Sequence, residues 1–279
     1  MICRFRYSTS KLLLGFALIF FSAAAQAQSF AEQVVEQVNL QRWLNGQLPP
    51  HKLDGALAVA AQAHSQNMAS RNFLMHCDPD TQSQPWDRMT AAGYNWNSAG
   101  ENIAAGEATP IAVVAGWMAS PGHRDNILSP SYRETGTGYV LDSSDSTNVR
   151  YSISFPCAAT HQTGPFFRYW TQVFGTRNDV YPVVIAREAY SVSTCLVDVY
   201  AYGAGWAQQI RFSDDGVNYG NWQPFASNHT RNLVGSSTAT VFMQIRSGGT
   251  ILNASDSVNL NLSCDGSPAP NVVFSNGLE

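Results

Sequence analysis

Among the residues able to do chemistry, two imidazoles and one carboxylate stand out. They are His76 in MHCDPD (75–80), Glu101 in SAGENIAAG (98–106) and His123 in SPGHRDNIL (120–128). Two histidines with an acid are a common ligand set for a divalent cation such as Zn or Mg that keeps open coordination positions. Glu101 has small apolar residues crowding in behind it, and a carboxylate walled in this way needs a cation or imidazoles to stay charged. All three residues are expected at loops or helix ends, where binding groups tend to sit on a scaffold. The gaps of 25 and 22 residues exceed local geometry, and no H-E-x-x-H occurs. On residue types alone the plainer reading leads, with a loop histidine, a capping histidine and a first-turn acid favoured by the helix dipole.

The elements that must position these groups are helical first. Ser29-Phe30-Ala31-Glu32 has the form of a capping box, and Phe30, Val34, Val35 and Val38 follow at helical spacing. The alanine-rich stretch 53–73 carries Leu53, Leu57, Ala60, Ala61, His64 and Met68 on one face. A third helix opens at Thr109-Pro110, carries Val113, Val114, Trp117 and Met118, and stops at Ser120-Pro121. From about residue 136 the texture turns to strands: 136–142, 148–155 and 167–175 are rich in Tyr, Val, Ile, Phe and Trp. Helices followed by a small antiparallel sheet predict an α+β layered domain.

Beyond it, residues 177–184 read as a linker, and short β-type runs then recur over 185–266 between turns such as Asp214-Asp215-Gly216 and Gly248-Gly249. That rhythm predicts an all-β, Ig- or fibronectin-like sandwich, with 267–279 a loose tail. At the other end, Arg4, Arg6 and Lys11 precede the apolar run 12–21, and Ala25-Gln26-Ala27 supplies small residues. This is the pattern of a signal peptide over 1–27, too short to span a membrane, so the expected product is secreted or periplasmic with no integral membrane segment. Three basic residues leave with that segment, so 13 Lys and Arg remain against 20 Asp and Glu, a formal charge of −7. The balance argues against nucleic acid as a partner. Cys77, Cys157, Cys195 and Cys264 remain, an even number that favours disulfides in an exported chain. The domain split favours Cys77–Cys157 and Cys195–Cys264 among the three pairings, because each pair stays inside one folding unit.

R-W-L-N (42–45), A-x-x-H-S-x-x-M (61–68), F-L-M-H (73–76), G-E-N-I-A (100–104), V-x-G-W-M-x-S-P-G-H-R-x-N-I-L (114–128), G-x-G-Y (136–139) and Y-W-T-Q-V-F-G (169–175) follow one another in an informative order. In this order they resemble the CAP superfamily, which takes in cysteine-rich secretory, antigen 5 and pathogenesis-related proteins, and its bacterial SCP-like branch. The resemblance covers nearly all of residues 30–176, within a first domain over 28–176. It implies an α-β-α sandwich with two His and two acids lining a central cleft. His76, Glu101 and His123 occupy three of those positions. The fourth acid of animal members falls near Ser120, so this chain lacks it, which weakens a divalent site. Asp78 and Asp80 are candidates to supply the missing charge.

The remaining candidates read as structural. His64 belongs to the core of its helix, His51 to a turn after two prolines, and His161 and His229 to solvent. Arg88 either binds a ligand or pairs with a carboxylate or carbonyls ahead of Glu101. Trp206, Tyr219 and Trp222 suit a sandwich core better than a sugar platform. The functional expectation is an exported protein whose cleft binds a divalent metal or small ligand, with the sandwich attaching to a surface. Its partners would be an extracellular ligand, a lipid or a cell-envelope polymer. A metal-assisted hydrolase of peptide or cell-wall substrates and a sterol or lipid carrier are the alternatives. No catalytic residue is assigned, because no G-x-S-x-G nucleophile signature is present.

Overall fold

The computed structural model describes residues 28–152, 157 and 161–265; the signal-peptide and tail readings, and part of the expected strand 148–155, lie outside them. The first unit runs α1 (Phe30–Leu44), β1 (Lys52–Leu53), α2 (Gly55–Ser70), β2 (Phe73–Leu74), α3 (Pro85–Ala91), β3 (Ser98–Ala105), α4 (Pro110–Ala119), α5 (Pro121–Leu128), β4 (Glu134–Leu141), β5 (Val149–Tyr151), β6 (His161–Thr163) and β7 (Arg168–Thr176). Local chemistry sets the helix starts. Ser29 and Glu32 close a capping box on α1, Asp54 accepts from Leu57 N at 3.0 Å to cap α2, and Thr109 caps α4 ahead of Pro110. Ser120 ends α4 and immediately precedes Pro121, the first residue of α5.

Four strands form the central sheet in the order β1-β4-β7-β3, with β7 antiparallel to both neighbours. Side chains alternate across β7. Trp170 and Phe174 pack with Val34, Val38, Val113, Trp117 and Ile127 in one layer. Tyr169 and Val173 face the other way, toward residues of α2 and α3. Both faces are therefore buried, and the result is a three-layer α-β-α unit. Helix α2 lies very close to β4: a Cβ placed on Gly136 would stand 2.1 Å from Ala58 N. Only glycine permits that approach. A small sheet, β2-β5-β6, sits to the side, next to the closed disulfide Cys77–Cys157.

The second unit comprises β8 (Val183–Ile185), β9 (Ser191–Val192), β10 (Leu196–Ala201), β11 (Gln209–Ser213), β12 (Gln223–Pro224), β13 (Asn228–Asn232), β14 (Thr238–Ser247) and β15 (Thr250–Leu260). They form two sheets, β13-β10-β8 and β12-β11-β14-β15-β9. Period-2 burial along β14 sends Ala239, Val241, Met243 and Ile245 inward, where they meet Val183, Ile185 and Val199 of the other sheet. Cys195–Cys264 closes this unit. Residues 183 and 184, expected within the linker, form β8 together with Ile185: Pro182 ends the irregular run, and the three apolar residues behind it are fully buried. Residues 228–232 were not anticipated as a strand, because NHTRN has little apolar alternation. Among the described residues, no helix is long and apolar enough to cross a membrane.

The two units are joined by polar contacts, two of which meet at Lys52. Its ammonium lies 2.5 Å from Glu188 Oε1 and 2.6 Å from Asp256 Oδ1, and Asp256 Oδ2 accepts from Ile185 N at 2.7 Å. Burial and then the neighbouring Asp256 charge raise the Glu188 carboxyl to about 7. Asn39 Nδ2 donates to Arg187 O, and Tyr202 OH donates to Pro50 O. His51, expected in a turn, is fully buried beside the Phe174 ring, 5.5 Å between centroids. Its backbone N–H donates to Asn39 Oδ1, and burial depresses its pKa far below the ordinary value. Replacing Lys52 by Met leaves two buried carboxylates without their cation. The expected loss is about 3 kcal/mol of unfolding free energy, measured by denaturant titration; an unchanged midpoint would refute the account of this lock.

Candidate functional site

Glu101 is not in a loop. It belongs to β3, the edge strand of the central sheet, paired with Val173 of β7. The stretch has no β-branched residue before Ile103, so strand propensity gave no signal. Alternation along β3 sends Glu101 into the layer of α2 and α3, and Asn102 into the layer of α5. Gly100 allows the neighbouring layer to close, since a Cβ there would lie 2.5 Å from Tyr132 OH.

The Glu101 side chain is 2% exposed, and both of its carboxylate oxygens are engaged. Oε1 meets His76 Nδ1 at 2.9 Å, and Oε2 accepts from Arg88 Nη2 at 2.6 Å. His64 Nε2 lies 3.9 Å from Oε1 and 3.0 Å from Met75 O. Burial pushes the carboxyl up, yet Arg88, His64 and His76 outweigh it and hold Glu101 down to about 2. It is ionised throughout the neutral range. Arg88 also donates to Ser83 O and His76 O, so one guanidinium fixes both the acid and the segment carrying His76. Of the two roles left open for Arg88, pairing is the one observed.

With Glu101 ionised, His76 Nδ1 is held as the donor, which leaves Nε2 of a neutral ring as an acceptor. Trp86, Pro85, Ala99 and Gly100 join His76 and Glu101 around a hollow of about 170 Å³. His123 is in the first turn of α5 and does not line that hollow. Its carbonyl accepts from Asn102 Nδ2 at 3.1 Å; burial, then the neighbouring His76 imidazole, lowers its pKa. Asn126 ties the two sides together by donating to Glu101 O and Asn102 Oδ1.

The other expected residues fall elsewhere. Asp78 is buried, paired with Arg71, and accepts from Asp80 N and Thr81 N. Asp80 pairs with Arg150 at 2.7 Å, so neither acid supplies charge to the cleft. His64 sits in the core as expected, and His161 is exposed. His229 is partly covered, stacked edge-on against Phe212. Trp206 packs against the β core on Tyr181, whereas Trp222 lies outside it, flanked by Arg211 and Arg246.

As a test of fit, a divalent metal needs ligand atoms that are free. Glu101 spends both oxygens on His76 and Arg88, and the guanidinium beside it repels a second cation. Among the described residues, no three His, Cys, Asp or Glu side chains come together so as to hold a metal ion. The set as arranged does not fit a tightly held metal.

Burial holds His64 to about 4, against an ordinary 6.5. The unfolded chain therefore binds a proton first as pH falls, and stability declines from about pH 6.5 toward pH 4 at up to ~1.4 kcal/mol per pH unit. The depressed Glu101 carboxyl extends the decline from its ordinary 4.5 toward 2. Thermal melts between pH 8 and pH 3 check this, and His64→Gln should flatten the upper part of the curve. Arg88→Met leaves Glu101 buried without its cation. The expected result is a raised Glu101 pKa by carboxyl-detected NMR and a stability loss of about 3 kcal/mol.

Comparison with known proteins matches the family model "CAP: Cysteine-rich secretory protein family" to residues 35–174. The Bacillus subtilis (strain 168) relative named "Uncharacterized protein YkwD" is 42% identical over 119 residues, covering 43% of this chain and 46% of its own. "Uncharacterized membrane protein YlbC" from the same organism is 32% identical over 107 residues, 38% of this chain and 30% of its own. The chain thus spans less than half the length of these curated relatives. A solved extracellular protein containing an SCP domain, from Bacillus anthracis str. Ames, aligns at 25% identity with a TM-score of 0.41, covering 53% of this chain and 40% of that one. With the family model spanning half of its length, the chain belongs to the CAP, or cysteine-rich secretory protein, family.

Proposed function

We propose that this is an exported binding protein whose CAP cleft takes a small ligand in the hollow beside His76. The observation that carries the reading is the pair His76 Nδ1–Glu101 Oε1 at 2.9 Å. A buried, ionised carboxylate fixes the imidazole and turns its other nitrogen into a directed acceptor. Trp86 and Pro85 supply apolar walls, so a small ligand with one donor group facing His76 suits the space. Glu101 acts here as the positioning residue and His76 as the binding one, with His123 flanking the cleft. Zn or Mg held by the two imidazoles alone would be bound weakly, because the acid is already committed. Two closed disulfides support an oxidising, extracytoplasmic location. The β unit, read as an Ig- or fibronectin-like module, would attach the protein to a surface or polymer.

The same dyad is also what a general base requires, which keeps hydrolysis of a peptide or cell-wall bond as the second reading. A histidine-detected NMR screen of small hydrogen-bond donors tests the first. Ligands should shift the His76 and Trp86 signals in the wild type and lose at least tenfold in affinity in His76→Ala; equal binding by both proteins would refute the site. Calorimetric titration of Zn²⁺ into wild type and the His76→Ala/His123→Ala pair should give weak or no heat in either. Micromolar binding confined to the wild type would restore the metal reading. Turnover of a cell-wall substrate that vanishes in His76→Ala would favour the hydrolase.

A further inference from the structure

An unassigned hollow lies on the seam between the two units, away from the CAP cleft. It is a groove of about 480 Å³, within the ~300–1,000 Å³ typical of small-ligand sites. Its floor is the outer face of the β13-β10-β8 sheet. Val197, Val199 and Ala201 point into the core, so Asp198 and Tyr200 point outward, directly opposite Thr230 and Asn228 on β13. Its far wall is the end of α1 and the chain after it, with Trp43 and the pair Pro49-Pro50.

That wall is held from both sides. Arg42 Nε donates to Pro49 O at 2.7 Å, and Tyr202 OH donates to Pro50 O at 3.0 Å. Arg187, in a left-handed conformation at φ 58°, lies over the Trp43 ring at 5.0 Å, and Trp43 still remains 41% exposed. The shape is therefore set before any ligand arrives, which lowers the cost of binding. The polar lining is unspent: the side chains of Gln47, Asp198, Asn228 and Thr230 make no hydrogen bond to any described residue.

We infer that this groove binds a neutral oligosaccharide. An apolar lipid would strip water from those polar side chains without replacing their hydrogen bonds. A polyanion would meet a single cation, Arg187, with the Asp198 carboxylate in the same groove, on a chain of net charge −4. Sugar hydroxyls both donate and accept, as Asp198, Asn228, Thr230 and Gln47 require together, and the apolar face of a sugar ring suits the exposed Trp43 and the half-buried Tyr200. The assignment rests on reading the β unit as an attachment module and gives that module its chemistry.

Calorimetry on the full chain with chitotetraose, cellotetraose and maltotetraose as neutral probes, and tetragalacturonate as the anionic one, tests the site. At least one neutral probe should bind one-to-one, with affinity reduced about tenfold by Trp43→Ala and by Asn228→Ala. Both side chains are exposed, so these variants should fold, which circular dichroism checks. His76→Ala should bind the saccharide as the wild type does, which separates this groove from the cleft. Binding by none of the neutral probes, tighter binding of the anionic one, or undiminished binding in both variants would overturn the proposal. Retention of the protein on washed bacterial envelopes without any tetrasaccharide binding would overturn it while leaving surface attachment intact.

Discussion

Keeping a carboxylate charged out of water costs several kcal/mol unless other groups repay it, and in the first unit that repayment decides where several elements go. Glu101 comes from the edge strand, Arg88 from the short helix α3, His64 from α2 and His76 from the segment after β2. Each must approach within a few ångströms of one buried group, so the layer of α2 and α3 is tied to the sheet electrostatically as well as by packing. Arg88 does double duty, because the guanidinium that neutralises the acid also accepts the task of holding the His76 carbonyl. The cleft is thus built from the inside outward, and His76 is the member left facing solvent, with its side chain 37% exposed.

Much of the scaffold was legible because it is coded locally. The Ser29–Glu32 box, the Thr109-Pro110 start and the inward alternation of residues 239–245 each depend on neighbours a few positions apart. The site was legible only in part. Family motifs put His76, Glu101 and His123 at one site, and Arg88 was read as pairing with a carboxylate or carbonyls ahead of Glu101. That this carboxylate is Glu101 itself, with His64 beside it, was not legible, since nothing local links positions 64, 88 and 101. Helix α5 was hidden for a different reason: a proline following a helix end reads as a stop, though at the first position of the next helix it is a start. His51 reads as part of a turn because two prolines precede it, and its burial was not legible there, since that turn is covered by the second unit and by the Phe174 ring. Burial that arises from domain packing leaves no periodic trace in the sequence.

The seam between the units is unusually polar for a surface that fixes their arrangement. Its contacts run through Lys52 to Glu188 and Asp256, through Asn39 to Arg187, and through Arg133, whose guanidinium lies 4.4 Å from the Tyr181 ring centroid. Such contacts are directional, so they specify one mutual orientation where a greasy interface would tolerate sliding. The groove on this seam inherits its fixed width from that orientation.

The sequence contains two lysines, Lys11 and Lys52, and only the second falls among the described residues. Its amine is clamped between two carboxylates. An acylating reagent can modify a side-chain amine only when the nitrogen is deprotonated and reachable, and here both conditions fail until the units part. Among the described residues, native chemistry has therefore left a single latent tag on the seam: the rate at which that amine becomes labelled would clock any separation of the two units, with no engineered probe required.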